Sequence, residues 1–280
     1  MKLRSSSLRN SGPRQGVAQF LQRLTPRRVA RKIWRTIYQK DYVDYRGMRL
    51  PLRDDRRVMS GEAFGSDEWF LQSGIVEALR LSARMGYNSD SKILDIGSGL
   101  GRLATGLLWE FGNAAHYLGL EVNREHVAWC MKHIEALHPN YRFVHVDVSN
   151  ERYNPEGKLK GADKIRLPVG DEQLDIVYLW GVFTNMGPEE ILIYITEISC
   201  MLKPGGKCFL TAFVENGVPD VSFNPQGYGP YEYDGSPLFA ARYSYDFLVS
   251  AFIRHRLKLD EFRLHGGGFP YHSEIYLSKV

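Results

Sequence analysis

The stretch Lys92-Ile93-Leu94-Asp95-Ile96-Gly97-Ser98-Gly99-Leu100-Gly101-Arg102 decides the fold. Its first half is a short apolar run, which predicts a buried β-strand, and its second half is a glycine-rich turn that opens a helix. Glycine is needed in such a turn because a side chain would hold a ligand away from the backbone, and because the turn can require a positive φ. By itself this pattern also suits nicotinamide oxidoreductases.

Acidic residues end the next two predicted strands. Glu121 follows Tyr117-Leu118-Gly119-Leu120, and Asp147 follows Phe143-Val144-His145-Val146. Because the carboxyl ends of parallel strands meet at one edge of a sheet, both acids are expected at the edge where such folds bind ligands. A carboxylate at Glu121 can accept hydrogen bonds from two ribose hydroxyls, and an acceptor at Asp147 can bind the exocyclic amine of adenine.

Beyond this region, short β-rich runs alternate with helical runs. Ser66 and Gly86 are predicted to begin and end a helix, since serine caps helix N-termini and glycine follows C-termini. The predicted strands span 92–96, 116–120, 141–146, 174–180, 207–213, 257–264 and 274–279, and the later helices span 101–111, 124–137, 188–202 and 244–255. This alternation predicts an α/β fold with a mostly parallel, doubly wound sheet.

The order of these motifs resembles class I S-adenosylmethionine-dependent methyltransferases over residues 66–280. The motifs are the glycine turn, Glu121, Asp147, the run Leu174-Asp175-Ile176-Val177-Tyr178 and the turn Leu202-Lys203-Pro204-Gly205-Gly206. The resemblance implies a Rossmann-like seven-stranded sheet of order 3-2-1-4-5-7-6, with an antiparallel last strand and helices on both faces. It also implies an enzyme that uses S-adenosylmethionine. A nicotinamide oxidoreductase, the alternative, would not explain Asp147 or the Lys-Pro-Gly-Gly turn.

The resemblance also implies the cofactor-binding residues. Asp95 and the glycine turn would hold the methionine end, Glu121 the ribose and Asp147 the adenine, while Trp180 would line the sulfonium. An electron-rich ring beside that cation is favourable, although a core aromatic is an equal alternative. The full predicted set is Asp95, Gly97, Ser98, Gly99, Gly101, Glu121, Val122, Asp147, Val148 and Trp180.

A general base is needed only if the acceptor is a hydroxyl that must lose its proton. The turn between the last two predicted strands is expected on the ligand-binding edge and contains His265, Gly266-Gly267-Gly268, Tyr271 and His272. His272 is the preferred base, with a surface histidine as the alternative. Phe183-Thr184-Asn185-Met186 is similar to a Phe-Thr-His-Met stretch of small-molecule members. Asn185 stands where histidine is frequent, so no histidine-dependent step is predicted there.

The acceptor is predicted to be a small-molecule or glycan hydroxyl. The long segment 214–242 is interpreted as a lid or binding surface, or else as a satellite core, because it is rich in aromatic residues: Phe223, Tyr228, Tyr231, Tyr233 and Phe239. The sequence contains no Asn-Pro-Pro-Tyr run and no Pro-Cys nucleophile. Residues 41–280 hold 25 basic and 32 acidic residues, which argues against extended contact with nucleic acid.

Residues 1–60 are predicted to form a basic extension, disordered at its start, before the catalytic domain at 61–280. Its first 40 residues carry eleven Lys and Arg and no acid. Residues 17–38 predict amphipathic helices that bind a membrane surface, a protein partner or the enzyme itself. This gives a further alternative, a catalytically inert methyltransferase-like module docked by its basic tail.

The cysteine pattern and the hydropathy indicate a cytoplasmic protein. Cys130, Cys200 and Cys208 have neither metal-ligand spacing nor an even number, so no metal site or disulfide is predicted. No apolar run is long enough to span a membrane. Membrane association through the tail is a further expectation, and in a eukaryote the Ser/Arg-rich start would also suit a mitochondrial transit peptide.

Overall fold

The strand predicted before the glycine turn is β3 (Lys92–Ile96), and it lies inside a mixed sheet. The computed structural model describes residues 40–114, 116–149, 154–158, 167–225, 240–264 and 272–280. The chain divides into two compact units, residues 1–52 and 53–280. The amphipathic helices predicted at 17–38 lie outside the described residues.

The described part of the first unit is a β-hairpin that the sequence analysis does not predict. Strand β1 (Tyr42–Tyr45) pairs antiparallel with β2 (Met48–Pro51). The two linking residues, Arg46 and Gly47, have φ values of 50° and 83°. Positive φ at both positions is the geometry of a type I′ turn, whose twist matches that of the flanking strands.

The second unit contains the remaining elements. Helix α1 (Arg53–Ser60) belongs to this unit, whereas the sequence analysis assigns those residues to the N-terminal extension. The helices that follow are α2 (Asp67–Met85), α3 (Arg102–Phe111), α4 (Arg124–Cys130, continued by a π turn at Met131–Glu135), α5 (Pro188–Met201) and α6 (Tyr245–Arg254). Short 3₁₀ turns occur at Glu62–Gly65, Gly112–Ala114 and Phe183–Asn185.

The central sheet confirms the predicted α/β fold. After β3 its strands are β4 (His116–Glu121), β5 (Tyr141–His145), β6 (Leu174–Leu179), β7 (Leu202–Glu215), β8 (Val221–Phe223), β9 (Ala241–Ser244), β10 (Leu257–Arg263) and β11 (Ser273–Lys279). Its main path is β5-β4-β3-β6-β7-β11-β10, with β11 antiparallel to both neighbours. If only the seven strands of this path are numbered in chain order, with β3 as the first, the order is 3-2-1-4-5-7-6.

Two further short strands extend this seven-strand path, so that the described part of the chain forms a sheet of nine strands. Strand β9 pairs in parallel with the end of β7, and β8 pairs antiparallel with β9. Strand β9 has four residues and β8 has three; β8 lies within the segment 214–242, interpreted from the sequence as a lid, a binding surface or a satellite core, and β9 begins at the end of that segment. Runs this short carry too little periodicity to predict a strand.

The helix predicted from Ser66 to Gly86 is confirmed with its caps. The Ser66 side-chain oxygen accepts a hydrogen bond from the Trp69 N–H at 3.2 Å. Gly86 ends the helix in the left-handed region, with φ of 69°, and its N–H donates to the Leu81 carbonyl. Both contacts satisfy backbone groups that a helix end leaves without an intrahelical partner.

Both faces of the parallel strands are covered. In β6, the consecutive residues Ile176, Val177, Tyr178 and Leu179 are all buried, which requires cover on each side because alternate side chains point to opposite faces. Helix α5 contributes buried side chains at helical spacing, namely Ile191, Tyr194, Ile195 and Ile198.

Among the described residues, no helix combines the length and apolar composition needed to cross a bilayer.

Helices α2 and α3 meet at a pair of glycines. A β-carbon built on Gly106 would lie 2.0 Å from the Gly74 carbonyl oxygen, and one built on Gly74 would lie 2.4 Å from the Arg102 oxygen. The two backbones are therefore in direct contact. This contact places the first turn of α3, which follows the glycine turn, against the middle of α2.

The substitution Gly106→Ala is predicted to destabilise the protein by about 1–3 kcal/mol or more, because overpacking outweighs the gain in helix propensity. Urea unfolding monitored by circular dichroism measures the effect. The control is Ser82→Ala on the exposed face of α2. It should change the free energy of unfolding by no more than a few tenths of a kcal/mol. Equal stability of Gly106→Ala and the original protein would contradict the close packing.

Candidate active site

The glycine turn after β3 has the backbone geometry that the sequence predicts. Gly97 and Gly99 have φ values of 76° and 55°, a region that side chains disfavour. The N–H groups of Gly97 and Ser98 donate to the Leu120 carbonyl oxygen at 2.8 and 3.0 Å. The turn is therefore fixed to the end of β4 as well as to β3.

Glu121 binds this turn directly. Its buried carboxylate accepts a hydrogen bond from the Gly99 N–H at 2.8 Å on one oxygen and from the Asn123 N–H at 2.8 Å on the other. Burial raises the pKa of Glu121, while these backbone donors favour its ionised form. Each oxygen keeps lone-pair capacity for a further donor.

Asp95 lies at the carboxyl end of β3 and is also buried. It accepts a hydrogen bond from the Tyr117 hydroxyl at 2.6 Å. Burial, together with the nearby carboxylates of Glu121 and Glu77, raises the pKa of Asp95 to about 7 against the opposing effects of Tyr117 and Arg102. A cation placed at Asp95 would favour its ionised form.

These acids open onto one cavity of about 820 Å³, a size typical of small-molecule sites. The cavity lies at the carboxyl edge of the parallel strands. Of the residues predicted from sequence, those that line it are Asp95, Gly97, Ser98, Gly99, Glu121, Val122, Trp180 and His272. The structure therefore brings the predicted base and most of the predicted cofactor residues together.

Three predicted cofactor residues are not among the described residues that line the cavity. Gly101 faces the π turn after α4, since a β-carbon there would lie 2.7 Å from Ile134 Cδ1. Val148 is buried in the hydrophobic core. Asp147 accepts a hydrogen bond from the Asn154 side chain at 3.2 Å, which lowers the pKa of Asp147. At the end of β5, Val146 lines the cavity instead.

His272 immediately precedes β11, which runs antiparallel as the sequence analysis expected. Its Nδ1 lies 3.3 Å from the Thr211 hydroxyl oxygen, which also accepts the Gly181 N–H at 2.8 Å. The ring packs edge-on against Phe213, with centroids 4.8 Å apart. Thr211 therefore connects His272 to the segment after β6. The rest of that turn, His265, Gly266-Gly267-Gly268 and Tyr271, lies outside the described residues.

One side of the cavity contains a buried charged cluster that was not predicted from the sequence. Arg102 donates to the Tyr178 hydroxyl oxygen at 3.2 Å, and that hydroxyl donates to Glu77 at 3.0 Å. Arg80 donates to Glu77 and to Glu274, both at 2.8 Å. These bonds connect α2, α3, β6 and β11. One sequence signal was available for Arg102, since it directly follows the glycine turn.

The two arginines of this cluster flank Trp180. The guanidinium carbons of Arg102 and Arg80 lie 5.2 and 5.8 Å from the Trp180 ring centroid. Burial lowers the pKa of Arg80, but the carboxylates of Glu77 and Glu274 raise it by more, so Arg80 stays charged. In the structure, Trp180 therefore already takes part in cation–π contacts with the protein.

Helix α1 forms another wall of the cavity through Arg57, Val58 and Met59. The helix is joined to the start of α2 by Arg56, which is fully buried and forms an ion pair with Asp67. Arg56 also donates to the Ser66 carbonyl oxygen at 3.1 Å. A buried guanidinium needs such partners, so α1 has a defined position on α2.

The aromatic segment 214–242 is described only in part. Phe223, in β8, is exposed, while Tyr228, Tyr231, Tyr233 and Phe239 lie outside the described residues. Asn185 of the Phe-Thr-Asn-Met stretch lines the cavity. Its neighbour Thr184 donates a hydrogen bond to the Gly181 carbonyl oxygen at 2.7 Å, which closes a tight turn after β6.

Comparisons with solved structures establish the same fold. One is the complex between the Haloferax volcanii Trm112 methyltransferase activator and a methyltransferase. Its matching chain is 17% identical to this chain, with a TM-score of 0.53, and the match covers 81% of this chain and 96% of the matching chain. The Burkholderia thailandensis 1,6-didemethyltoxoflavin-N1-methyltransferase, solved with S-adenosylhomocysteine, is 15% identical, with a TM-score of 0.51, over 76% and 81%. The glycopeptide N-methyltransferase MtfA, solved with S-adenosylmethionine, is 13% identical, with a TM-score of 0.52, over 74% and 94%.

A family comparison identifies the domain itself. Residues 94–210 match a family model described as a methyltransferase domain. The match begins in β3, includes the glycine turn and Glu121, and ends in β7. The chain therefore contains a methyltransferase domain over residues 94–210, and its fold is that of solved methyltransferases, among them structures with S-adenosylmethionine or S-adenosylhomocysteine bound.

Proposed function

We propose that this methyltransferase O-methylates a small-molecule hydroxyl and uses His272 as the general base. The observation that carries the proposal is the presence of His272 in the same cavity as Asp95, the glycine turn and Glu121. A hydroxyl acceptor must lose its proton during transfer, whereas many amine acceptors need no such base. A histidine is suited to this role at neutral pH.

The charges of the cavity fit S-adenosylmethionine. The described lining residues include three arginines, Arg57, Arg80 and Arg102, and four carboxyl groups, Asp95, Glu77, Glu121 and Glu274. With all groups ionised, one negative charge is unbalanced. The cofactor has an ammonium, a carboxylate and a sulfonium, and its single net positive charge matches this excess.

A second feature supports the fit. The Ser98 hydroxyl is buried in the turn and forms no hydrogen bond with the described residues. Buried polar groups without a partner are uncommon in folded proteins. In our proposal, a polar group of the bound cofactor satisfies this hydroxyl.

The proposed contacts follow from the position of each group. Asp95 would bind the ammonium, Arg102 the carboxylate, and Glu121 the two ribose hydroxyls. The bound cofactor supplies an electrophilic methyl group for in-line displacement. The remaining contribution of the chain is to align the acceptor, exclude water and accept a proton at His272. Asp147 as the adenine partner stays a prediction.

The substitution Glu121→Ala is predicted to weaken binding of S-adenosylhomocysteine by about 10- to 100-fold, since hydrogen bonds to a charged group contribute about 1.5–3 kcal/mol. Isothermal titration calorimetry measures the affinity, and circular dichroism checks that the fold is retained. The control is Glu110→Ala, at an exposed position on α3 outside the cavity. Unchanged affinity in Glu121→Ala would show that the ribose assignment is wrong.

Cofactor affinity is predicted to depend on pH through Asp95. The pKa of Asp95 is about 7 in the protein without cofactor, so the carboxyl is protonated below that value. An ammonium binds the ionised form, so affinity for S-adenosylhomocysteine should rise with pH up to about 7 and then level off. Titrations at several pH values, each in two buffers of different ionisation enthalpy, also measure the proton released on binding.

The matched variant for this prediction is Asp95→Asn, which keeps the shape of the side chain and removes its charge. This variant should bind S-adenosylhomocysteine more weakly than the original protein. Its affinity should not change with pH between 5.5 and 7.5 by more than the measurement error. If the original protein and Asp95→Asn had the same pH profile, the ammonium contact at Asp95 would be excluded.

The role of His272 is tested with two phenols of different acidity. His272→Gln is predicted to lower methylation of unsubstituted phenol by about 10²–10⁴-fold, the usual contribution of a general base. It should lower methylation of 4-nitrophenol far less, because that phenol is largely ionised at pH 8. Transfer of methyl groups from radiolabelled cofactor measures both rates. An equal loss with both phenols would argue that His272 only supports the structure.

A further inference from the structure

One wall of the cavity is a single face of α2 that carries both apolar and charged side chains. The residues of this face recur every three or four positions: Trp69, Gln72, Ser73, Val76, Glu77 and Arg80. At 1.5 Å per residue, the wall extends for about 16 Å from Trp69 to Arg80. Glu77 and Arg80 lie in the charged cluster at Trp180, Trp69 lies at the opposite end, and Val76 directly precedes Glu77.

Three apolar side chains that line the cavity are exposed, and they are called the rim below. Val58 of α1 and Trp69 and Val76 of α2 all line the cavity, yet they are 71%, 43% and 53% exposed. Large apolar side chains that stay exposed on the lining of a cavity mark a ligand-binding surface. This rim is therefore suited to a hydrocarbon group.

The polar groups near this rim already have partners within their own helix. The Gln72 amide donates to Glu68 at 3.1 Å, and the Ser73 hydroxyl donates to the Phe70 carbonyl oxygen at 2.9 Å. A sugar ring needs hydrogen-bonding side chains around it, whereas Gln72 and Ser73, the uncharged polar residues of this wall, donate within their own helix.

The charges of the cavity favour an acceptor without charge. If the cofactor binds as proposed above, its net positive charge balances the lining residues. Arg80, the central cation of the charged cluster, forms ion pairs with Glu77 and Glu274. An acidic acceptor would have to compete with these two carboxylates for the guanidinium.

We propose that the acceptor is an uncharged, lipophilic hydroxyl compound whose hydrocarbon part is bound by Val58, Trp69 and Val76. Its hydroxyl is directed towards Trp180 and His272 at the charged end of the cavity. This inference rests on the proposed function, and it narrows the acceptor from small molecules and glycans to alkyl- or aryl-substituted alcohols and phenols.

The experiment uses the full chain and titrates 4-methylphenol, 4-propylphenol and 4-pentylphenol, each with and without S-adenosylhomocysteine. The affinity should increase with chain length, by up to about 4-fold for each buried methylene. Methyl β-glucopyranoside, the glycan probe, should bind at least 10-fold more weakly than 4-pentylphenol.

Two variants on α2 make the test specific. Val76→Asp should weaken 4-pentylphenol binding by 10-fold or more, because it places a charge on the apolar wall. Leu79→Asp is the matched control, since Leu79 is 44% exposed on the same helix but does not line the cavity. Both variants should bind S-adenosylhomocysteine with unchanged affinity.

The outcomes separate this inference from the proposed function. Affinities that do not change with chain length, equal effects of the two variants, or preferred binding of the glucoside would overturn the lipophilic acceptor while cofactor binding stood. Failure of the original protein to bind S-adenosylhomocysteine would instead overturn the cofactor site. In that case, the apolar surface would still be supported if the affinity for the alkylphenols depended on chain length in the original protein and in Leu79→Asp but not in Val76→Asp.

Discussion

The hydrogen bond from the Gly99 N–H to the buried carboxylate of Glu121 is the contact on which the site depends. Together with the bonds from the turn to the Leu120 carbonyl, it sets the position of the turn relative to the end of β4. Asp95 is paired with Gly119. The pairing of β3 with β4 therefore also fixes the position of Asp95 relative to the turn. The geometry of the turn is therefore set by two strands and one carboxylate together.

This arrangement places acids where water cannot solvate them well. Burial raises the pKa of both Asp95 and Glu121, and their mutual repulsion contributes to the shift at Asp95. Desolvated carboxylates are costly for a protein without a partner cation. In the function that we propose, a positively charged cofactor relieves that cost on binding, so that these two carboxylates favour the complex.

The sequence predicts what depends on local pattern. The strand before Gly97, the caps at Ser66 and Gly86 and the carboxylate at the end of β4 all follow from residue types at short spacing, and the structure contains each of them. The ion pair between Arg80 and Glu274 could not be predicted, because it joins residues 194 positions apart. Strands β8 and β9 were missed because they are too short to show periodicity. The position of Asp147 depends on how the chain leaves β5, which strand spacing does not determine.

The most direct test of the account is a crystal structure of the protein with S-adenosylhomocysteine bound. We predict that its ribose hydroxyls donate to Glu121 and that its amino group contacts Asp95, with the homocysteine chain along the glycine turn. Density for the ligand elsewhere, or a ribose remote from Glu121, would contradict the claim that these two strand ends hold a single adenosyl cofactor.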